Sequence, residues 1–427
     1  MDEQDGTAGR GHDHRRMSIY DTREDLPEGV VSTPDDSPPG RHYLYKVGEI
    51  LVGAADRPLL EKAGRLDGYR RMPTSDKPDG FDRDAPGELG VERYTYSLDA
   101  EIDLPSEVDR LGAPLKDENG VLRFPRVTPN IVVGIQLHGD YGPAAPPESA
   151  LPVTPPPRRR FLPLPGHGVK VGVIDTGFSP ADTSWFNGQC EGDPEQLPQP
   201  GGPLRREVGH GTFIAGTILQ RAPGAEIVVQ TMEGQAGLVT DTALAAAIVR
   251  LGEQKPDIIN LSLGGYVHGG TGLFATEAAI NRLRASQPGL VFAAAAGNDD
   301  VSKEFYPAAM KGVIAVGAIV GPTDHSRAHF SNFGPWVDAC APGLELRSTF
   351  IPHNSFGSGF AKWSGTSFAT PSVVAAIASR FSPGGWRQFL RFLRPRTARQ
   401  AAYELVNDKA LPYVPDLGTV IPTTVAL

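Results

Sequence analysis

Four short segments place polar side chains where they could carry covalent chemistry. In VGVIDTG (171–177) an apolar run delivers Asp175 into a Thr-Gly turn, and in GHGTFIAG (209–216) His210 stands between two glycines before a stretch of small residues. AAAAGND (293–299) places Asn298 directly after Gly297, and SGTSFATP (364–371) leads Ser367 into a helix start. Each has an ordinary structural explanation on its own, because Asp and Asn settle in turns and Ser caps helices. Together they supply a carboxylate, a base, an oxyanion donor and a nucleophile, the parts that acyl transfer needs. A serine hydroxyl is a weak nucleophile until a base takes its proton, and the base needs a carboxylate to hold its tautomer. Backbone N–H groups at a helix start complete the set by facing developing negative charge.

The elements that must position these groups are legible around them. VKVGVID (169–175), EIVVQTM (226–232), DIINLSL (257–263), LVFAAAA (290–296) and GVIAVGAI (312–319) are apolar on both faces, as strands covered by helices on two sides must be. Helical stretches near 211–220, 240–254, 273–286 and 368–381 alternate with or follow them. The pattern predicts an α/β fold, a doubly wound and mostly parallel sheet with helices on both faces, whose strand ends and helix starts expose functional groups.

Upstream, residues 1–42 are polar and acidic, with ten Asp or Glu against five Lys or Arg, and are expected to be a disordered tail. The stretch 43–140 reads as a small α+β module in the order β-α-β-α-β: strands at 43–53, 92–98 and 130–137, helices at 57–66 and 106–115. Nine prolines in the 24 residues from Gly142 to Pro165, including PPPRRR at 155–160, predict a semi-rigid linker over 141–166. The portion with the doubly wound pattern then runs from 167 to 427. From about 383 it continues as an extension with a basic amphipathic piece at 386–394 and a helix at 397–406.

Composition narrows the function classes. Net charge is −9, which argues against binding nucleic acid, and no stretch approaches a membrane span. Only Cys190 and Cys340 occur, too few for a disulfide framework or a zinc site of cysteines alone. The first residues lack the basic start and apolar core of an export signal, so the expectation is a cytoplasmic chain with unpaired thiols.

From Gly168 to Ala378 the sequence resembles the subtilisin-like serine peptidases, on the three segments around Asp175, His210 and Ser367, on NLSLGG (260–265), VIAVGA (313–318) and AHFSNFG (328–334), and on CAPG (340–343) before the serine. The resemblance implies catalytic roles for Asp175, His210 and Ser367, with Asn298 as oxyanion donor, and a polypeptide substrate. It also implies that Ser262, Leu263 and Gly264 pair with the substrate backbone, and that Ala295, Ala296 and Gly297 form a wall of the first specificity pocket. Two departures stand out. Gly237-Leu238-Val239 replaces the family's Gly-small-Gly segment on the other side of the cleft, and Phe305 falls at the pocket floor, where a small residue is common. Family calcium sites do not carry over: no cofactor is required, structural calcium is left open, and 189–207, with Glu191, Asp193 and Glu195, is expected to be a solvated loop. The module at 43–140 matches the size and position of an inhibitory pro-domain, with an unrelated recognition domain as the alternative. The expected activity is serine endopeptidase. A ligase or cyclase using the same triad, and a non-cleaving binding protein, are the other readings.

Overall fold

The computed structural model describes residues 26–33, 43–72, 89–96, 103–135, 146–157, 164–197, 202–232, 237–382 and 397–422. The N-terminal module contains strands β1 (Val30–Ser32), β2 (Leu44–Gly53), β3 (Arg70–Arg71), β4 (Val91–Thr95) and β7 (Val127–Gly134), with a small hairpin of β5 (Leu115–Lys116) and β6 (Leu122–Arg123). Helices α1 (Arg57–Lys62) and α2 (Leu104–Gly112) complete it. Helix α1 stops short of the 57–66 pattern, where Gly64 takes φ +63°, while Pro105 opens α2 in its first turn. The two helices cover one face of the sheet through Leu60, Leu104, Val108 and Leu111, packed on Ile50, Val52, Tyr94 and Val127.

One part of the expected tail is ordered instead. Val30–Ser32 pairs antiparallel with Leu44–Lys46, because two adjacent valines give an otherwise polar stretch a strand's apolar grip on the sheet edge. Residues 1–25 and 34–42 lie outside the described residues, as does the basic piece at 386–394.

The expected linker is also not a free spacer where it is described. β8 (Glu148–Ser149) pairs with β18 (Phe360–Trp363), itself paired with β17 (Leu346–Thr349). Trp185 Nε1 donates to the Val153 carbonyl at 3.3 Å. Residues 146–157 are therefore fastened to the C-terminal portion, because extended proline-rich backbone keeps its carbonyls, and the N–H groups of its non-proline residues, available to neighbouring edges.

The large sheet runs β10-β11-β9-β13-β14-β15-β16-β20-β19. Its strands are β9 (Lys170–Asp175), β10 (Cys190–Gly192), β11 (Glu226–Thr231), β13 (Ile258–Leu261), β14 (Val291–Ala295), β15 (Val313–Ile319), β16 (Ala339–Pro342), β19 (Tyr413–Val414) and β20 (Gly418–Val420). All neighbours are parallel except the final pair, and the chain moves from β9 outward to β11 and then returns to β13 on β9's other side. That reversal is the topological switch point, where such sheets open a crevice beyond their strand ends. Helices α3 (His210–Arg221) and α6 (Thr366–Phe381) share one apolar cluster with Val171, Val173 and Ile227, and α7 (Ala398–Val406) joins it through Ala401, Ala402 and Leu405. Helices α4 (Asp241–Gly252) and α5 (Phe274–Ser286) cover the opposite face with Ile174, Ile259 and Phe292. Cys190 and Cys340 are unpaired and stand six strands apart in this order, roughly 29 Å at about 4.8 Å per strand.

The two portions of the chain share a core. Leu51, Val91, Ile131 and Val133 on the module's other face belong to the same cluster as Leu244, Ile248, Phe274 and Ala275 of α4 and α5. This is why β7 is buried along its whole length: helices lie on both of its faces.

Candidate active site

Asp175 ends β9 and His210 begins α3, and both are buried. His210 Nδ1 lies 2.9 Å from each oxygen of Asp175. A carboxylate only accepts, so Nδ1 carries the proton and Nε2 is left as the basic nitrogen. The glycines of the motif make this approach possible. A Cβ on Gly211 would stand 2.3 Å from the Gly177 carbonyl and 3.2 Å from Asp175 Cβ, so only glycine lets the start of α3 close on the aspartate turn. The imidazole is fixed edge-on to Trp363, centroids 5.5 Å apart, and against Phe368 at 5.1 Å.

Ser367 sits in the first turn of α6, beside Phe368. Its Oγ donates to the Ser262 carbonyl at 3.2 Å, while Ser262 Oγ donates to the Ser367 carbonyl at 2.8 Å. The Ser367 hydroxyl therefore rests against the segment after β13, and the next residue, Phe368, touches His210. Asn298 follows β14, and its Oδ1 accepts from Thr366 N at 2.9 Å and Thr366 Oγ1 at 2.8 Å. Holding Oδ1 on the helix start leaves Nδ2 as the donating end of the amide. The structure thus gathers all four predicted groups at strand ends and helix starts around one crevice.

The predicted substrate residues line it. Ser262, Leu263 and Gly264 follow β13, and Ala295, Ala296 and Gly297 end or follow the parallel neighbour β14. Phe305 is 1% exposed, and its ring lies between these two walls: a Cβ on Gly264 would meet it at 2.3 Å and one on Gly297 at 3.1 Å. The Tyr266 ring packs edge-on to it at 5.3 Å. Gly237 and Leu238 lie across the cleft, where β12 (Leu238–Thr240) pairs antiparallel with β7.

The module's last strand thus runs between both walls. Gly134 exchanges two backbone hydrogen bonds with Gly264, each 2.9 Å, and Ile135 N donates to the Gly237 carbonyl at 3.0 Å. Around this strand, Asn130 Oδ1 accepts from Thr242 N at 3.4 Å at the start of α4, and Arg126 reaches Glu277 at 2.6 Å with its guanidinium 4.0 Å from the Phe274 ring centroid. Sequence patterning could place β7 as a strand but had no means of showing what its two edges would meet.

The expectation of a solvated loop at 189–207 is corrected in part. Cys190–Gly192 forms the edge strand β10, and Asp193 Oδ2 accepts from Thr231 N at 3.0 Å. Glu195 is buried, with Oε1 accepting from Gly209 N at 2.7 Å. Burial pushes its carboxyl up to about 8, reinforced by the negative charges of Asp175 and Glu207 and opposed by the Gly209 N–H and the Thr176 hydroxyl. No sequence signal marks this residue, since it reaches the site only through the tertiary contact with Gly209. Among the described residues no group of three or more His, Cys, Asp or Glu is placed to hold a metal ion, and no helix is long and apolar enough to cross a membrane.

A doubly wound sheet that presents an aspartate–histidine pair, a helix-start serine and an asparagine at its switch point is the framework of a serine hydrolase acting on acyl groups. Comparison with known proteins agrees. The chain is 35% identical over 225 residues to subtilisin BL of Lederbergia lenta, covering 50% of this chain and 77% of that protein. It is likewise 35% identical over 225 residues to an alkaline protease of Alkalihalobacillus alcalophilus, covering 50% of this chain and 54% of that protein. The crystal structure of a cold-adapted subtilisin-like serine proteinase aligns over 66% of this chain and 98% of its own, at 25% identity and a TM-score of 0.46. The sequence model of the Subtilase family matches residues 166–410, and the chain belongs to that family. It is a subtilisin-like serine endopeptidase.

Proposed function

We propose that this endopeptidase cleaves peptide bonds through Asp175, His210 and Ser367, with Asn298 at the oxyanion, and that its N-terminal module is an inhibitor seated in its own cleft. The observation that carries this reading is the strand pairing of β7 with both cleft walls, Gly134 on Gly264 and Ile135 on Gly237. A substrate backbone would make the same bonds, so module and substrate exclude one another.

The resting position of Ser367 gives the first step a cause. In that antiparallel register, an occupying chain's residue two places beyond the one paired with residue 264 lies opposite Ser262, again as a hydrogen-bonded pair. The N–H of an occupying chain at that point takes the Ser262 carbonyl now held by Ser367 Oγ. The hydroxyl is then released to His210 Nε2, which accepts its proton as Oγ attacks the scissile carbonyl. Asn298 Nδ2 and the Ser367 N–H receive the oxyanion, which exists only in the transition state and intermediate. His210 returns the proton to the leaving amine, and water hydrolyses the acyl-enzyme by the same route.

The occupied pocket bears on specificity. With the Phe305 ring between Gly264 and Gly297, residues of small or medium size are favoured before the scissile bond, and Phe and Tyr are disfavoured. Intact mass of the purified chain tests the whole reading: wild type should split, and Ser367→Ala should remain whole. A Ser367→Ala chain that splits at the same bond would overturn it.

A further inference from the structure

The Asp175–His210 pair is supported from behind by a residue that the mechanism above does not use. Glu195 is clamped at its backbone: Glu195 N donates to Ser179 Oγ at 3.0 Å, and a Cβ on Gly177 would stand 2.9 Å from both its N and its Cα. From this anchor beside the Asp175-Thr176-Gly177 turn, the side chain crosses to the other half of the pair and accepts the Gly209 amide at 2.7 Å. Gly209 has φ +92° and is the residue from which α3 and His210 spring. Thr176 ties the same two segments, its Oγ1 accepting from Gly211 N at 3.1 Å and lying 3.3 Å from Asp175 Oδ1. One oxygen of Glu195 is thus committed to the histidine's anchor. The other, Oε2, is buried with no hydrogen-bond partner among the described residues.

A carboxylate so placed would be a buried charge facing only the Gly209 N–H and the Thr176 hydroxyl, the latter also 3.3 Å from Asp175 Oδ1. The charged groups facing it offer no relief. Asp175 on β9 and Glu207 in the loop before α3 are both acidic, and Arg205 is paired with Glu207 at 3.1 Å. We propose that Glu195 is a positioning residue for His210 and works as a neutral carboxylic acid, its Oε1 fixing the Gly209 amide and with it the imidazole. The carboxyl's upward shift to about 8 agrees with this state at neutral pH. Above that pH the charge, pressed by Asp175 and Glu207, drives the side chain toward water, and the Gly209 amide loses its acceptor. Misplacing a catalytic group by about 1 Å costs on the order of a hundredfold in rate, so the effect belongs in kcat.

The inference rests on the triad assignment above, and the experiment separates the two. Full-length wild type, Glu195→Gln, Glu195→Ala and His210→Ala are compared on a short peptide substrate from pH 6 to 10, with thermal unfolding of each recorded alongside. Glu195→Gln keeps both the acceptor and the neutral state, so it should stay within about threefold of wild type at pH 6.5 and exceed it progressively as pH passes about 8. Glu195→Ala should lose about ten- to a hundredfold in kcat with KM little changed. If Glu195→Ala does not fold, the Glu195→Gln to wild-type ratio across pH still decides. A ratio that is flat from pH 6 to 10, or Gln and Ala variants equally impaired, overturns the role of Glu195 while an inactive His210→Ala leaves the triad standing; an active His210→Ala overturns the triad itself.

Discussion

Gly134 and Gly264 exchange both of their backbone hydrogen bonds, each 2.9 Å long, so that a residue of the N-terminal module is a strand partner of the cleft wall. The contact tolerates no side chain at 134. A Cβ there would lie 2.5 Å from the Gly237 carbonyl and 2.6 Å from Leu238 Cδ2. Gly134→Ala should therefore weaken the module as an inhibitor by overpacking worth about 1–3 kcal/mol, roughly five- to a hundredfold in Ki when the module is added in trans. Unchanged inhibition would show that the strand pairing does not contribute to restraint.

Self-cleavage should be confined to the segment that follows β7. Residues 146–157 are held on the peptidase portion through β8 and Trp185, and such a segment is a poor substrate while it is docked. The fragments of the wild-type chain should therefore end between β7 and β8, and not at PPPRRR. Terminal sequencing or intact mass of both fragments reads this directly; a cut at 155–160 would refute it.

The four site residues should contribute unequally. Ser367→Ala and His210→Ala should each abolish nearly all turnover. Asn298→Ala should lower kcat by about 10²–10³ with KM little changed, the loss known for removing the oxyanion asparagine of a subtilisin, because the donor meets its charge only beyond the ground state. Steady-state kinetics on one peptide separates these outcomes. Product masses in the presence of added amine would show whether the acyl-enzyme goes to water or to a new peptide bond.

Phe305→Gly should widen specificity. Removing the ring from between Gly264 and Gly297 opens the volume that a large side chain needs, and Phe or Tyr before the scissile bond should gain roughly five- to a hundredfold in kcat/KM relative to Ala. Profiling a peptide library on both proteins checks this. A wild-type preference for Phe or Tyr would contradict it.

Stability should respond to pH through Glu195. Its folded carboxyl titrates near 8 against an ordinary value of 4.5, so the folded state holds a proton that the unfolded chain has already released between those values. The stability attached to the neutral acid is fully present below the ordinary value and is lost as pH rises through about 8. Glu195→Gln has nothing to lose over this range. The difference in Tm, variant minus wild type, should rise steadily between those two values and then level off, and a constant difference would contradict the burial of an uncharged acid at this position.

The sequence by itself determined the doubly wound sheet and which polar groups stand at its edge. Strands such as Val171–Asp175 and Ile258–Leu261 are apolar on both faces, and that pattern has no other use in a chain of this kind. Asp175, His210, Asn298 and Ser367 were legible because each lies at a strand end or helix start with a glycine whose need is local. The ordered strand Val30–Ser32, the docked residues 146–157 and the buried Glu195 were not legible, since each depends on a partner far along the chain: β2, β18 and the Gly209 amide. Only the tertiary structure decided what β7 does. Its run of apolar residues predicts a strand, but hydrogen-bonding edges carry no sequence signature, because every residue other than proline offers the same N–H and C=O. Which edge those groups find, here the two walls of the cleft before Ser367, is settled by how the module's sheet packs on α4 and α5.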